Sequence, residues 1–194
     1  GVDTNMFVPL DRDHEDTMLA HEAIRNRYGE PDENALAGLP NTETPLLLAV
    51  GRLVARKGYR TLLKAMPEVL QAFPKAHLVI VGRGHMKRTL ERQAKRLGVS
   101  ESVTIEPGLP FDELAQLFRS SDLVAYPSYY EGQGLIPLEA MASGTPVVTV
   151  DDGPLPEMVD DSVGGLFDID QPETLAKAIE SLLQNHDGRL DMAK

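Results

Sequence analysis

Two carboxylates, Glu131 and Glu139, stand eight residues apart in Glu131-Gly-Gln-Gly-Leu-Ile-Pro-Leu-Glu139. Gly132 and Gly134 suit a tight turn in which backbone comes close to a ligand. Pro137 suits the first turn of a helix, where its missing N–H costs nothing. The segment therefore reads as a loop feeding a helix whose first amides point outward, an arrangement that attracts phosphates. A carboxylate beside such a site accepts hydrogen bonds from hydroxyls, and sugar or ribose hydroxyls are the natural candidates. The plain alternative makes Glu131 a solvated loop charge and Glu139 an acid favoured by the helix dipole.

A second loop, Gly51-Arg-Leu-Val-Ala-Arg-Lys-Gly58, follows an apolar run. Arg52 offers a planar fork of donors and Lys57 a compact charge, a combination suited to a diphosphate. The spacing is not that of a Walker loop. Gly82-Arg-Gly84 lacks the third glycine of a dinucleotide fingerprint, because Lys87 occupies that place, so NAD(P) is rejected. Asp151-Asp152 and Asp168-Ile-Asp170 lack a surrounding set of oxygen ligands and read as turn and cap residues. His14, His21, His77, His85 and His186 show no ligand or triad spacing. His85, on the ligand-side loop 82–85, is the one worth mutating.

The elements that position these residues alternate regularly from Leu46. Short apolar runs at 46–50, 77–81, 103–105, 123–126, 146–150 and 165–167 predict buried parallel strands. Helical spacing is expected over 61–73, 86–97, 112–119, 135–143, 155–159 and 172–184, with a further short helix over 16–28. Such alternation predicts an α/β fold with a doubly wound, Rossmann-like parallel sheet, and ligands at the carboxyl ends of its strands. The loops at 51–58, 82–85, 106–110, 127–134 and 151–154 all fall on that edge.

Composition sets the outer limits. The chain has 194 residues, no cysteine and a formal charge of −11. Disulfides, zinc–thiolate sites and thiol nucleophiles are excluded, and the acidity argues against nucleic acid. Basic residues nevertheless crowd the 51–60 loop (Arg52, Arg56, Lys57, Arg60) and the 86–97 helix, a focus suited to a small anionic ligand. No apolar run reaches the length of a membrane span. The absent initiator methionine suggests a piece of a longer chain, and a cytoplasmic setting is expected.

The stretch Pro127-Ser-Tyr-Tyr-Glu-Gly-Gln-Gly-Leu-Ile-Pro-Leu-Glu-Ala-Met-Ala-Ser-Gly-Thr-Pro-Val147, together with Val50-Gly-Arg-Leu-Val-Ala-Arg-Lys-Gly58, resembles the signatures of the retaining GT-B glycosyltransferases called group 1 or family 4. The resemblance covers most of residues 46–185. It implies one half of a two-domain GT-B fold: a linker arm, short helix and mobile loop over 1–44, a nucleotide-sugar-binding domain over 45–185, and a truncated segment over 186–194. It further implies that Arg52 and Lys57, with the amides of Gly134 and Leu135, hold the donor diphosphate. Glu131, Gly132 and Gln133 would line the donor sugar, Glu139 would grip the ribose, and Gly108 and Leu109 would present backbone to the base. The donor, a UDP- or GDP-type sugar, would need no cofactor and no metal. The catalytic acid or base, and an acceptor sugar or glycolipid, would belong to a missing N-terminal domain, the only route to membrane contact at the inner surface.

Three departures from the family pattern stand out. Gln133 replaces a Phe, Pro107-Gly108 shifts a glycine by one place, and Pro154 replaces a second glycine. Glu157 fits the same pattern as a structural residue. Two other readings of the fold stay open, a nucleotide-sugar epimerase or phosphorylase and a non-catalytic nucleotide-binding module.

Overall fold

The structure, a computed structural model, describes residues 1–11, 15–28, 44–132 and 134–185. Six strands form one parallel sheet: β1 (Leu46–Val50), β2 (His77–Val81), β3 (Val103–Glu106), β4 (Leu123–Tyr126), β5 (Val147–Val150) and β6 (Gly164–Phe167). Their spatial order is β3-β2-β1-β4-β5-β6. Six helices accompany them: α1 (Glu15–Tyr28), α2 (Tyr59–Ala72), α3 (Lys87–Leu97), α4 (Phe111–Ser120), α5 (Leu135–Ala142) and α6 (Pro172–Gln184). β1, β4 and β5 are buried along their whole length, as strands covered on both faces must be.

Helix α2 packs against α3 and α6, whereas α4 packs against α1 and α5, giving one helical layer on each face. The expected elements are present with small shifts at their ends. α2 starts at Tyr59 rather than Thr61, because Gly58 adopts a left-handed φ of 67° and turns the chain directly into the helix. The helix expected over 155–159 is a single 3₁₀ turn at Leu155–Glu157, in a stretch interrupted by Pro154 and Pro156.

The N-terminal segment contributes to the core. Phe7 is fully buried, with edge-on ring contacts at 5.7 Å to Phe111 and 5.5 Å to Phe118. Arg25 on α1 carries a buried ion pair to Asp122 (2.7 Å) and also donates to the carbonyl of Thr44 (2.7 Å). Asp122 in turn accepts from the amide of Leu46 (2.8 Å), so one carboxylate ties α1 to the start of β1. Residues 29–43, where the mobile loop of the 1–44 arm is expected, and the segment 186–194 lie outside the described residues.

The sheet reverses its winding direction between β1 and β4, which are neighbours. The loops leaving their carboxyl ends, 51–58 and 127–134, therefore flank the crevice where such sheets bind ligands.

Candidate functional site

The loop after β1 is clamped by backbone. The amide of Gly51 donates to Val81 O (3.0 Å), that of Leu53 to Arg83 O (2.8 Å), and that of Met86 to Leu53 O (3.1 Å). A Cβ at Gly82 would lie 1.9 Å from the carbonyl oxygen of Gly51, and one at Gly84 would lie 2.3 Å from that of Leu53. The Gly82-Arg-Gly84 pair is thus explained by close packing of two loops.

The loop then makes a 3₁₀ turn, Ala55–Lys57, and reaches Gly58. A Cβ on Gly58 would lie 1.8 Å from the carbonyl oxygen of Pro127, so the two loops touch backbone to backbone. The amide of Tyr129 donates to Arg56 O (2.8 Å) across the same seam. This seam turns Lys57 inward, where only 9% of the residue remains exposed.

The Lys57 ammonium donates to Glu131 Oε1 at 2.7 Å and to the Tyr126 hydroxyl at 2.9 Å. Its distance of 4.8 Å from the Tyr126 ring centroid, longer than that to the hydroxyl, sets it beyond the ring edge and not over the face. The same Glu131 oxygen accepts a short hydrogen bond from the Ser128 hydroxyl. Burial pushes the Glu131 carboxyl up, but the donors Lys57, Ser128 and Tyr126 outweigh it and hold the group below its ordinary value. Glu131 is accordingly no solvated loop charge.

Gly134 caps α5 with a left-handed φ of 58°, and a Cβ there would meet Leu155 Cδ2 at 2.9 Å. No side chain caps the helix, which leaves its first amides as donors. Glu139 is the fifth residue of α5, just past its first turn. It is half-buried, and burial raises its pKa. The two carboxylates thus sit in opposite electrostatic settings, one charged and paired, the other desolvated.

Arg52 is exposed, with no side-chain partner among the described residues, and Arg56 and Arg60 are exposed too. The structure therefore gathers Lys57 and Glu131 but leaves Arg52 at the rim of the same loop. Gly132 is exposed with open space around it, and Gln133 lies outside the described residues. Gly108 is in a positive-φ conformation (138°), and Arg83 Nε donates to Pro107 O at 2.7 Å, which ties the β3 loop to the β2 loop. Leu109 packs partly against the core. Arg88, Arg92 and Lys95 line a separate open pocket with Glu91 on α3, so the cations of that helix and of the β1 loop do not form one focus.

Asp170 is held at φ 55° and accepts from the Tyr129 hydroxyl (2.6 Å) and from Thr61 (3.4 Å). That clasp ties the loop after β4 to α2. Among the described residues no group of three or more His, Asp or Glu is placed to hold a metal ion, and no helix is long and apolar enough to cross a membrane. His77 bonds Thr104 (2.8 Å), and burial lowers its pKa, while His85 is exposed. The sequence reading missed Tyr126, Ser128 and Tyr129. The available signal was a phenol ending an otherwise apolar strand, next to the acidic loop.

Comparison with known proteins places the chain. The profile of the family described as "Glycosyl transferases group 1" matches residues 32–194. A D-inositol 3-phosphate glycosyltransferase of Segniliparus rotundus is 39% identical over 189 residues, covering 94% of this chain and 38% of that protein. A GDP-mannose-dependent α-(1-6)-phosphatidylinositol monomannoside mannosyltransferase of Mycolicibacterium smegmatis is 36% identical, covering 94% and 45%. The chain thus spans less than half the length of these relatives. Among solved structures, the sucrose-phosphate synthase of Thermosynechococcus elongatus superposes with a TM-score of 0.78 at 27% identity, over 100% of this chain and 44% of its own. The C-terminal domain of a group 1 glycosyl transferase from Francisella tularensis gives 0.76 at 25% identity, over 100% and 93%. With its six-stranded parallel sheet flanked by helices, the chain belongs to the group 1 glycosyltransferases of GT-B architecture.

Proposed function

We propose that this chain binds a nucleoside-diphosphate sugar and supports its retaining transfer to an acceptor held by an N-terminal domain. The observation that carries the reading is Lys57: a nearly buried ammonium held 2.7 Å from Glu131, in the crevice between β1 and β4. As the bond to the anomeric carbon breaks, negative charge builds on the departing diphosphate. Lys57, Arg52 swinging in from the rim, and the amides of Gly134 and Leu135 stabilise that charge through fixed donors. Glu131 accepts hydrogen bonds from the sugar hydroxyls, with Gly132 and Gln133 beside it, and Glu139 from the ribose. Gly108 and Leu109 offer backbone to the base.

The relatives' names support a hexose donor and a polyol or glycolipid acceptor, and one of them names GDP-mannose. The donor is the only small molecule the reaction requires here. The acceptor, the remaining catalytic group and any membrane contact belong to the partner domain, so the chain alone transfers little or no sugar. The protein works in the cytoplasm, with its acceptor side at the inner membrane surface when that acceptor is a lipid.

Calorimetric titration with UDP, GDP, UDP-glucose and GDP-mannose tests this. Arg52→Ala and Lys57→Ala are each expected to weaken diphosphate binding by about 1.5–3 kcal/mol, the value of hydrogen bonds to charged groups. Unchanged affinity in both variants would remove the phosphate assignment.

A further inference from the structure

Tyr126 and Ser128 are polar groups placed where apolar ones would pack as well. Tyr126 closes β4, whose other residues are Leu123, Val124 and Ala125, and only 3% of it is exposed. Ser128 is 1% exposed. Burying a hydroxyl costs free energy unless it is hydrogen-bonded, so its partners reveal what it is for. The Ser128 hydroxyl reaches Glu131 Oε1, makes a long 3.5 Å contact to Arg56 O, and lies beside the Tyr126 hydroxyl. The Tyr126 hydroxyl accepts from Lys57 at 2.9 Å, which leaves its own proton free, and the Glu131 carboxylate is the acceptor beside it.

Neighbouring groups show that this arrangement is selective. Thr61 and Tyr129 bond each other (2.9 Å) and Asp170, so they hold the loop but do not reach Lys57. Tyr59, also 3% exposed, has a buried hydroxyl without a partner among the described residues, although it lies under the same loop at Gly51. A phenol in this region is thus not automatically part of the network.

We propose that Tyr126 and Ser128 are positioning residues of the donor site: they fix Glu131 as an acceptor braced by Lys57, Ser128 and Tyr126, and aim the remaining N–H of Lys57 at the phosphate. This rests on the diphosphate-sugar reading given above. An ammonium has three N–H donors. Glu131 and Tyr126 take two, and the third is left for the ligand. Glu131 keeps lone pairs on its second oxygen for sugar hydroxyls, with its carboxylate plane set by the donors on the first. Neither hydroxyl touches the substrate; each acts through the residue it holds. The two residues therefore separate in effect. Tyr126 bonds Lys57 directly, whereas Ser128 bonds Glu131 and does not bond Lys57.

The test is calorimetry on the 194-residue chain with UDP, GDP, UDP-glucose and GDP-mannose between pH 4 and 8, for wild type, Tyr126→Phe, Ser128→Ala and Ser128→Thr. Tyr126→Phe is expected to weaken both the diphosphate and its sugar form by about tenfold, as for loss of one hydrogen bond to a charged group. Ser128→Ala is expected to weaken the sugar form alone by a similar factor, and Ser128→Thr to restore it. Both weakening variants move the acid limb of sugar-nucleotide binding to higher pH, because Glu131 has lost a donor to its ionised form. A variant that only loosened the fold would lower affinity without moving that limb. Should Tyr126→Phe fail to fold, the Ser128 pair still decides, by limb position and by Thr rescue. Folded variants with an unmoved limb and wild-type affinities overturn the inference while leaving the donor site intact. Wild-type protein that binds none of the four ligands overturns the donor-site reading itself, and this inference with it.

Discussion

Replacing Lys57 by Met removes the ammonium while keeping most of the side chain's bulk. The side chains of Lys57 and Glu131 are 11% and 13% exposed, so the change strands a carboxylate that is nearly out of water. Breaking a fully buried pair costs about 3–5 kcal/mol. Partial solvent access lowers that to about 2–3 kcal/mol, or roughly 5–10 °C in melting temperature for a chain of this size. The double variant Lys57→Met/Glu131→Gln strands no charge and should recover most of the loss. The pH dependence has a definite sign. In the wild type Glu131 is held below its ordinary value, so its contribution is present above about pH 4.3 and is lost as pH falls through the folded-state value. In Lys57→Met, burial dominates and raises the group, so the deficit is full at neutral pH and shrinks on acidification. Differential scanning calorimetry from about pH 3 to 8 reads both effects. Equal losses in single and double variants, with no pH dependence, would refute the reasoning.

Other expected outcomes follow from the packing. Gly58→Ala forces a Cβ to within 1.8 Å of the Pro127 carbonyl oxygen at a φ of 67°. Chemical denaturation should show a loss of about 2–5 kcal/mol, and a wild-type midpoint would show that the loops are not in contact. Asp122→Ala leaves the guanidinium of Arg25 buried and unpaired; about 3–5 kcal/mol should go in the same assay. Tyr59→Phe removes a hydroxyl that has no partner, so stability should stay within about 0.5 kcal/mol of wild type or rise. A loss well above that would reveal an interaction of the phenol that the packing does not show.

Most of the fold was legible in the sequence because it rests on local signals. Leu46–Val50 and Leu78–Val81 are continuous apolar runs, as expected of strands buried on both faces. The start of α5 was legible from Gly134 and Pro137, which favour a turn and a first helical turn. The loops that carry Lys57 and Glu131 were legible as loops following strands, since the chirality of parallel crossovers sends them to one edge. What escaped was pairing at long range. Lys57 meets Glu131 across 74 residues and Arg25 meets Asp122 across 97, and no periodicity encodes either. Gly82 and Gly84 were legible as a turn, but the backbone they make room for belongs to another loop. Tyr126 was hidden because a phenol at the end of an apolar strand looks like core until its hydroxyl is located. Glu139, an acid favoured by the helix dipole in the plain alternative, is the fifth residue of its helix, and burial raises its pKa.

The proposed donor site requires Lys57, Arg52 and the amides opening α5 to converge on the diphosphate of a nucleotide sugar. The most direct measurement is an amide and side-chain chemical-shift titration of the isotope-labelled chain with UDP and GDP. The largest shifts are expected at Gly134, Leu135 and the 51–58 loop, including the Lys57 ammonium and the Arg52 guanidinium, and should vanish with uridine or guanosine at equal concentration. Shifts confined to Arg88, Arg92 and Lys95 on α3, with the turn at Gly134 silent, would contradict it.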